Sequence, residues 1–349
     1  MNNKIFISFF ILSLFFTMCQ THDLEETDSD FPVVKGPYLG QNPPDTIPEL
    51  FAPGIISTGM NNRDIAITPN GKEIYFCINM GNFSYSTILF TKQVNGKWTE
   101  PEVASFASVP GYMNIEPCIS PDGKKFYFVS DRPDKNAGET EGESDIWVMD
   151  RNGDSWSEPY NLGEPVCTEH AEFFPSVTKD GTLYFTRQIK GEQTDNIYRS
   201  RLVNGKYTEP EKLGKEINCG ISQFNAFIAP DESYIIVPAW GREDSYGGVD
   251  YYIVFRNEDD TWSEPINMGE EINNKQGAEW SPYVSPDRKY FFFMSSRINI
   301  KRDTSLTKLS YSYLKKLYNE PQNGNADIYW VDAVIIDKLK EKHQKAENK

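Results

Sequence analysis

Short runs rich in β-branched and aromatic residues alternate with turn signals along most of the chain. Five turns share related residues, in ITPNGKEIYF (67–76), ISPDGKKFYF (119–128), VTKDGTLYF (177–185), IAPDESYIIV (228–237) and VSPDRKYFFF (284–293). Pro, Asp and Gly between two such runs predict a tight hairpin turn. Successive turns lie 52, 58, 51 and 56 residues apart, so the chain repeats a unit of that size.

A second signature follows each of the first four turns, as GKWTEP (96–101), DSWSEP (154–159), GKYTEP (205–210) and DTWSEP (260–265). The segment before each of them reads as another hairpin turn. Each repeat therefore predicts four antiparallel strands, and four-stranded repeats of this length are typical of the blades of a β-propeller.

The fifth repeat has a third strand, predicted in DIYWVDAVII (327–336), but no fourth-strand signature after it. The segment TIPELFAPGII (46–56) aligns with TEPEVASFAS (99–108), which is the outer strand of the first repeat. We therefore predict an all-β, five-bladed propeller over 45–340, with the N-terminal segment completing the last blade. A sixth blade is the alternative, but it would have to come from 298–326, which contain no turn signature.

The N-terminus predicts export. Residues 1–18 combine Lys4 with an apolar stretch too short to cross a bilayer, as in a signal peptide. Cys19 follows directly and resembles the lipid-attachment cysteine of a bacterial lipoprotein, although Met18 stands where a small residue is usual. Cleavage nearby with an incidental Cys19 is the alternative. Residues 19–44 predict a flexible acidic tether, 341–349 a charged tail, and the whole an outer-membrane lipoprotein, periplasmic or surface-facing.

Composition narrows the possible partners. A formal net charge of −16 argues against a nucleic-acid-binding protein, which needs a basic stripe. We expect a monomer without a cofactor, held at the membrane only by its lipid. Four further cysteines, Cys77, Cys118, Cys167 and Cys219, could form two disulfides in three pairings, but strand positions of the first two favour free thiols.

Three segments resemble the TolB-like bacterial propeller repeats, which are WD-repeat-like and carry a Ser-Pro-Asp-Gly turn: ISPDGKKFYFVSDR (119–132), SDIWVMDRNG (144–153) and NGNADIYWVDAVIID (323–337). The fourth repeat departs from the pattern with Glu232 in place of Gly. The resemblance implies a propeller of the bacterial envelope, in lipoprotein form. TolB also has a separate α/β domain for which this chain has no room, so its partner contacts are not carried over.

Residue types that recur in every blade serve packing rather than recognition. This applies to an outer-strand aromatic column of Trp98, Trp156, Tyr207 and Trp262. It also applies to the polar residues that open the third strands, Asp145, Asn196, Asp250 and Asp327, which we expect to hydrogen-bond nearby backbone.

The topology places all hairpin turns on one face and the long variable loops on the other. We expect the loop face to bind, because variable loops on a rigid scaffold commonly carry function. Polar residues begin the first strands or end the second strands at this face, near the central channel. The ligand-binding candidates among them are Asp64, Glu116, Glu172, Asn225, Glu279, Arg132, Arg187 and Arg297. They could recognise a polar ligand, or they could pair with one another as an ion-pair ring.

The insertion 297–326 contains LTKLSYSYLKKLY (306–318), whose leucines and Tyr313 recur at helical spacing. We expect a short amphipathic helix that either caps the funnel or packs only on its own blade.

No nucleophile motif or phosphate-binding glycine loop occurs. His170 lies between acids, but a surface histidine is the favoured reading and we predict no metal site. The leading hypothesis is a module or scaffold that binds a protein or glycan of the envelope. The alternative is a carbohydrate hydrolase using Glu116, Glu172 and Glu279.

Overall fold

The computed structural model describes residues 31–134, 142–259, 261–275 and 277–347. The predicted signal peptide and Cys19 lie outside the described residues. Within them the chain is a five-bladed β-propeller of antiparallel, mostly four-stranded sheets, which confirms the predicted fold class. Neither of its α-helices is long and apolar enough to span a membrane, in the part of the chain that is described.

Each of the first four blades follows chain order from the innermost strand outward. Blade 1 comprises Asn61–Ile67, Glu73–Met80, Tyr85–Val94, Lys97–Trp98 and Glu102–Val103. Blade 2 comprises Asn114–Ile119, Lys125–Ser130, Asp145–Asn152, Ser155–Trp156 and Tyr160–Asn161. Blade 3 comprises Ala171–Val177, Leu183–Gln188, Asp195–Ser200 and Glu211–Lys212, with Leu202–Val203 and Lys206–Tyr207 as a separate hairpin. Blade 4 comprises Ser222–Gln223, Phe227–Ile228, Tyr234–Trp240, Val249–Phe255 and Ile266–Asn267.

The last blade combines both ends of the propeller. Its inner strands are Glu279–Val284, Tyr290–Ser295 and Asp327–Asp332, and its outer strand is Glu49–Leu50. Glu49 pairs with Trp330 and Leu50 with Tyr329, and the Phe51 N–H donates to the Ile328 carbonyl at 2.8 Å. The Phe51 ring is fully buried, with its centroid 5.0 Å from that of Phe292. The predicted closure by residues 46–56 is confirmed.

The outer-strand aromatic residues reach back to the preceding blade. The Trp156 indole donates to the Tyr75 hydroxyl at 2.9 Å, and the Tyr207 and Tyr127 hydroxyls lie 3.2 Å apart. Trp98 packs into the cluster that contains Trp330 of the last blade. Neighbouring sheets are therefore joined by the repeated aromatic column, as its recurrence predicts.

The third strand of the last blade ends at Asp332, four residues before the predicted end. The helix Val334–Glu347 follows and includes most of the segment expected only to be a charged tail. Its first two turns pack on the core, where Ile336 is buried and Leu339 partly so. A local charge pattern does not reveal this contact, because the partner surface comes from blades 4 and 5.

The remaining elements are short. Two 3₁₀ turns span Tyr38–Gly40 and Ser105–Ala107. The insertion contains the helix Tyr311–Asn319, so the helical segment begins five residues later than predicted. All four cysteines of the described residues are free thiols, as predicted.

We predict that Phe51→Ala destabilises the whole propeller by about 3–5 kcal/mol, because it empties a buried site between the closing strand and blade 5. The midpoint of urea unfolding, followed by tryptophan fluorescence, measures this. Val94→Ala removes a side chain that is 46% exposed and serves as the matched control. A Phe51→Ala midpoint equal to that of the control would show that the N-terminal strand is dispensable.

Candidate functional site

The innermost strand of every blade has an irregularity at the same position. Pairing with the second strand skips residues in blades 1, 2, 3 and 5, and the first strand of blade 4 is broken between Gln223 and Phe227. One residue of each irregularity has a positive φ of 50–59°: Asp64, Glu116, Phe174, Asn225 and Ser281. A bulge turns backbone and side-chain groups away from the ladder. Here it turns them toward the propeller axis, because the first strands of neighbouring blades contact one another there.

Four of these bulge residues and Arg63 form a buried hydrogen-bond network, the central network. The Arg63 guanidinium donates to Asp64 Oδ2 and to Glu116 Oε1, both at 2.9 Å. The Asn225 amide lies 3.5 Å from Glu116 Oε1 and 3.3 Å from Ser281 Oγ, and the Ser281 hydroxyl donates to Asp64 Oδ1. The network therefore runs around the channel and closes on itself.

Backbone groups freed by the bulges complete this network. The Phe174 N–H donates to Glu116 Oε2 at 2.7 Å, and the Asn225 N–H donates to Thr186 Oγ1 at 2.9 Å. Burial raises the pKa of Glu116 to about 7, against the opposing effect of the Arg63 charge. The sequence-predicted candidates Asp64, Glu116 and Asn225 thus come together, with most of their polar atoms bonded to the scaffold.

A funnel opens above the central network on the loop face, with a volume of about 270 Å³. Its walls include the residues just before the bulges, which are Arg63, Ile115, Phe173, Phe224 and Trp280. Phe83 from a blade 1 loop adds to them, with its ring centroid 5.5 Å from the Arg63 guanidinium carbon. The funnel surface is mainly apolar and aromatic, and its charged lining residues are Arg63, Glu116 and Asp195.

This wall column is what the sequence analysis missed. The sequence contains a signal for this column. Phe173, Phe224 and Trp280 occupy the same position of the first strand in three blades, although the strand pattern does not require a large residue there. The bulge hides this signal. In a regular strand, neighbouring side chains point to opposite sides, so if Asp64 and its equivalents face the channel, the residues just before them would be expected to face away from it.

The arginines at the ends of the second strands brace the blades. Arg132 donates to the Phe106 carbonyl at 2.8 Å, Arg187 to the Val166 carbonyl at 2.9 Å, and Arg297 to the Ile272 carbonyl at 2.9 Å. Each guanidinium also lies over aromatic rings of its own blade, with carbon-to-centroid distances of 4.7–5.4 Å. The three arginines therefore tie the inter-blade loops to the sheets.

Glu172 and Glu279 hold the same inter-blade loops from the other side. Glu172 accepts hydrogen bonds from the Thr168 hydroxyl and from Arg187, both at 2.7 Å. Glu279 Oε1 accepts from the Ser295 hydroxyl at 3.0 Å and from the Asn274 N–H at 3.2 Å. Both residues are 0% exposed, so neither reaches the funnel surface.

One group in the described residues has the composition of a metal site, namely Asp145, Cys167 and Glu172. It does not suit a cation. Glu172 already forms an ion pair with Arg187. Burial also raises the pKa of the Cys167 thiol, which disfavours the thiolate form that a metal requires. His170 is not part of this group.

A second cavity, of about 210 Å³, lies in the channel on the turn-face side of the central network. Prolines of the turns and of the first strands line it, including Pro69, Pro117 and Pro282. The central network therefore separates an aromatic funnel from an apolar, proline-lined cavity.

Comparisons with known proteins find only distant structural similarity. No family model matches the chain, and no curated protein matches it in sequence. Among solved structures, the chain is similar to TolB from Acinetobacter baumannii, at 15% identity and a TM-score of 0.43, over 78% of this chain and 57% of that one. It is also similar to a putative 6-phosphogluconolactonase from Bacteroides uniformis, at 12% identity and a TM-score of 0.40, over 76% and 73% of the two chains. A third is the NanB sialidase from Streptococcus pneumoniae, at 12% and 0.39, over 71% and 35%. Because these identities and TM-scores are low, we assign the site from its own geometry.

Glu279 yields a prediction on pH. Burial raises its pKa to about 7, and the nearby Asp250 carboxylate adds to the effect. Oε2 of Glu279 and Oδ1 of Asp250 have no hydrogen-bond partner in the described part of the chain. At the equivalent position of blade 4, the Gln223 amide donates to Asn196 Oδ1 at 3.1 Å. A glutamine at 279 could make the same bond to Asp250.

A group with a raised folded-state pKa retains its proton between its unfolded and folded pKa values, so the free energy of unfolding falls as pH rises through that window. We predict that Glu279→Gln removes this contribution. The variant should match the wild type near about pH 5 and exceed it by about 1–3 kcal/mol near about pH 8. Urea unfolding at both pH values is the measurement, with the exposed Glu102→Gln as control. An equal or lower stability of Glu279→Gln at the higher pH would contradict the buried, partly unpaired carboxyl.

Proposed function

We propose that this propeller is a binding module whose loop-face funnel receives an apolar or aromatic anchor side chain of a protein partner. The observation that supports this proposal is that the funnel has exposed aromatic rings, whereas its charged groups already have partners. Phe83, Phe173, Phe224 and Trp280 leave part of their rings exposed in the funnel. The charged groups are already bonded: Arg63 to Asp64 and Glu116, and Asp195 to the side chains of Gln188 and Ser222. Recessed aromatic surface with a satisfied polar base is what a partner's anchor residue fits.

The size of the funnel favours part of a large partner over a whole small molecule. Sites that enclose a small molecule usually measure roughly 300–1,000 Å³. The funnel measures about 270 Å³ and shares Phe83 and Trp280 with a neighbouring open pocket of about 640 Å³, so together they form a broad surface that does not enclose a small molecule. A sugar would also need free donors and acceptors for its hydroxyl groups, since an unpaired polar group costs binding energy. The wall residues offer chiefly rings, which favours a protein over a glycan.

A carbohydrate hydrolase has less support. Such enzymes use two carboxyl groups that flank the scissile bond. Glu116 is 4% exposed and bonded to Arg63 and to the Phe174 backbone, while Glu172 and Glu279 bond to inter-blade loops. Turnover of a glycan panel that is abolished by Glu172→Gln or Glu279→Gln would restore the enzymatic reading.

Panning a random-peptide phage library against the protein tests the funnel. We expect peptides with a shared aromatic or aliphatic residue, and we expect Trp280→Ala and Phe224→Ala each to weaken their binding by about 30-fold or more. Trp240→Ala is the matched control, because Trp240 lies on the loop face with 48% exposure but does not line the funnel. Circular dichroism checks that each variant is folded.

Two results would overturn the proposal. Peptides that bind the Trp280→Ala variant as well as the wild type would place recognition elsewhere. Glycan-array ligands that are lost in both funnel variants, with no peptide selected, would make the funnel a sugar site.

We further propose that a lipid on Cys19 holds the propeller in the envelope, as the segment before it suggests. After membranes are washed in high salt, which screens electrostatic contacts, the wild type should remain bound and Cys19→Ala should be released. Quantitative immunoblotting of both fractions measures this. Retention of Cys19→Ala in the washed membranes would refute the anchor.

A further inference from the structure

The insertion 297–326 has a charge opposite to that of the protein. It contains six Lys or Arg and two Asp or Glu, a net charge of +4 in a chain with a formal net charge of −16. Five of its six basic residues are exposed: Lys301, Arg302, Lys308, Lys315 and Lys316. Its two acids are engaged locally, Asp303 with the Ser305 N–H at 2.9 Å and Glu320 with Lys316 at 3.6 Å.

The same insertion exposes large apolar side chains. Tyr311, Leu314 and Tyr318 recur at helical spacing along one side of the helix, and the two tyrosines are 76% and 70% exposed. Ile298, Ile300, Leu306 and Leu309 extend this surface before the helix. Every residue from 298 to 312 is exposed, and we call this exposed surface of residues 298–319, which includes the helix, the ridge.

The base of the ridge is fixed to the propeller. The Asn323 and Asn325 side chains donate to the Gly59 carbonyl at 3.0 and 2.9 Å, and the Gln322 N–H donates to Asp327 at 2.6 Å. A Cβ on Gly59 would lie 2.4 Å from the Asn319 backbone, so the helix end contacts blade 1 closely. The Ser310 hydroxyl caps the helix through the Tyr313 N–H at 3.1 Å. The ridge is therefore held in place with its apolar residues outward.

We propose that this ridge docks on an anionic phospholipid surface. Lysines flanking exposed tyrosines and leucines on a short helix match the interface of a bilayer, where the rings lie among the headgroups and the ammonium groups meet lipid phosphate. A ridge suits a lipid surface, because a bilayer receives protruding side chains without a complementary groove. The lipid contact does not use the funnel interior or any lipid on Cys19, although Tyr318 at the end of the helix lines a neighbouring pocket together with Phe83 and Trp280.

Vesicle flotation tests the proposal with the chain from residue 20 onward, which lacks both the predicted signal peptide and Cys19, so that neither the apolar N-terminal segment nor a lipid contributes. We expect binding to vesicles of equimolar phosphatidylglycerol and phosphatidylcholine, and none to phosphatidylcholine alone. Lys315→Gln with Lys316→Gln should weaken binding by about 25-fold, at about fivefold per lysine. Lys124→Gln with Lys289→Gln is the matched control, because both lysines are exposed and lie in turns of the opposite face. Leu314→Gln should also weaken binding, since the apolar contact is part of the mechanism.

The opposing outcomes are distinct. Equal loss in the two double variants would reduce the effect to net charge, and equal binding to both kinds of vesicle would remove the role of anionic lipid. Binding to poly-L-glutamate but to neither vesicle would identify an acidic protein segment as the occupant. Phe224→Ala, whose ring lines the funnel but not the pocket beside the ridge, should leave vesicle binding unchanged, which separates this test from that of the funnel.

Discussion

The fold depends on the pairing of Glu49 and Leu50 with Tyr329 and Trp330. Four of the blades are built from consecutive strands, but the fifth is completed by a segment almost three hundred residues away in sequence. Without it, blade 5 would expose the unpaired edge of the Asp327–Asp332 strand, a site for non-native pairing. The cost is entropic, because a long chain must be ordered before this pairing forms. The buried Phe51 ring supplies apolar contact that offsets it.

Closure also determines what the centre of the molecule can hold. Five first strands brought around one axis leave a narrow channel, and a bulge in each strand turns one residue into it. A positive φ is costly for Glu, Phe and Ser, so these conformations persist because the central network and the freed N–H groups hold them. Arg63 is the centre of this arrangement, since two buried carboxylates depend on its charge. The polar residues of the axis therefore stabilise the ring first.

Because the polar residues of the axis are engaged in stabilising the ring, aromatic and exposed basic residues are left for recognition. The charged candidates near the axis bond to loops, backbone or one another, so the accessible surface of the funnel is aromatic. Charge available for recognition lies instead on the insertion, where the lysines are solvent-exposed. The two proposed contacts, an anchor side chain in the funnel and a lipid surface at the ridge, thus use different elements and different physics.

The sequence by itself determined the number of blades, their strand order and the closing strand, because turn chemistry and strand alternation are local and repeat five times. It also identified the column of Asp64, Glu116 and Asn225 at the axis. Whether these residues face a ligand or one another was decided only by the tertiary structure, since their partners come from different blades. The aromatic wall at Phe173, Phe224 and Trp280 was likewise invisible, because a bulge reverses the alternation that sequence reasoning assumes. The packing of the C-terminal helix was also decided only by the tertiary structure, because its apolar residues contact blades that are distant in sequence.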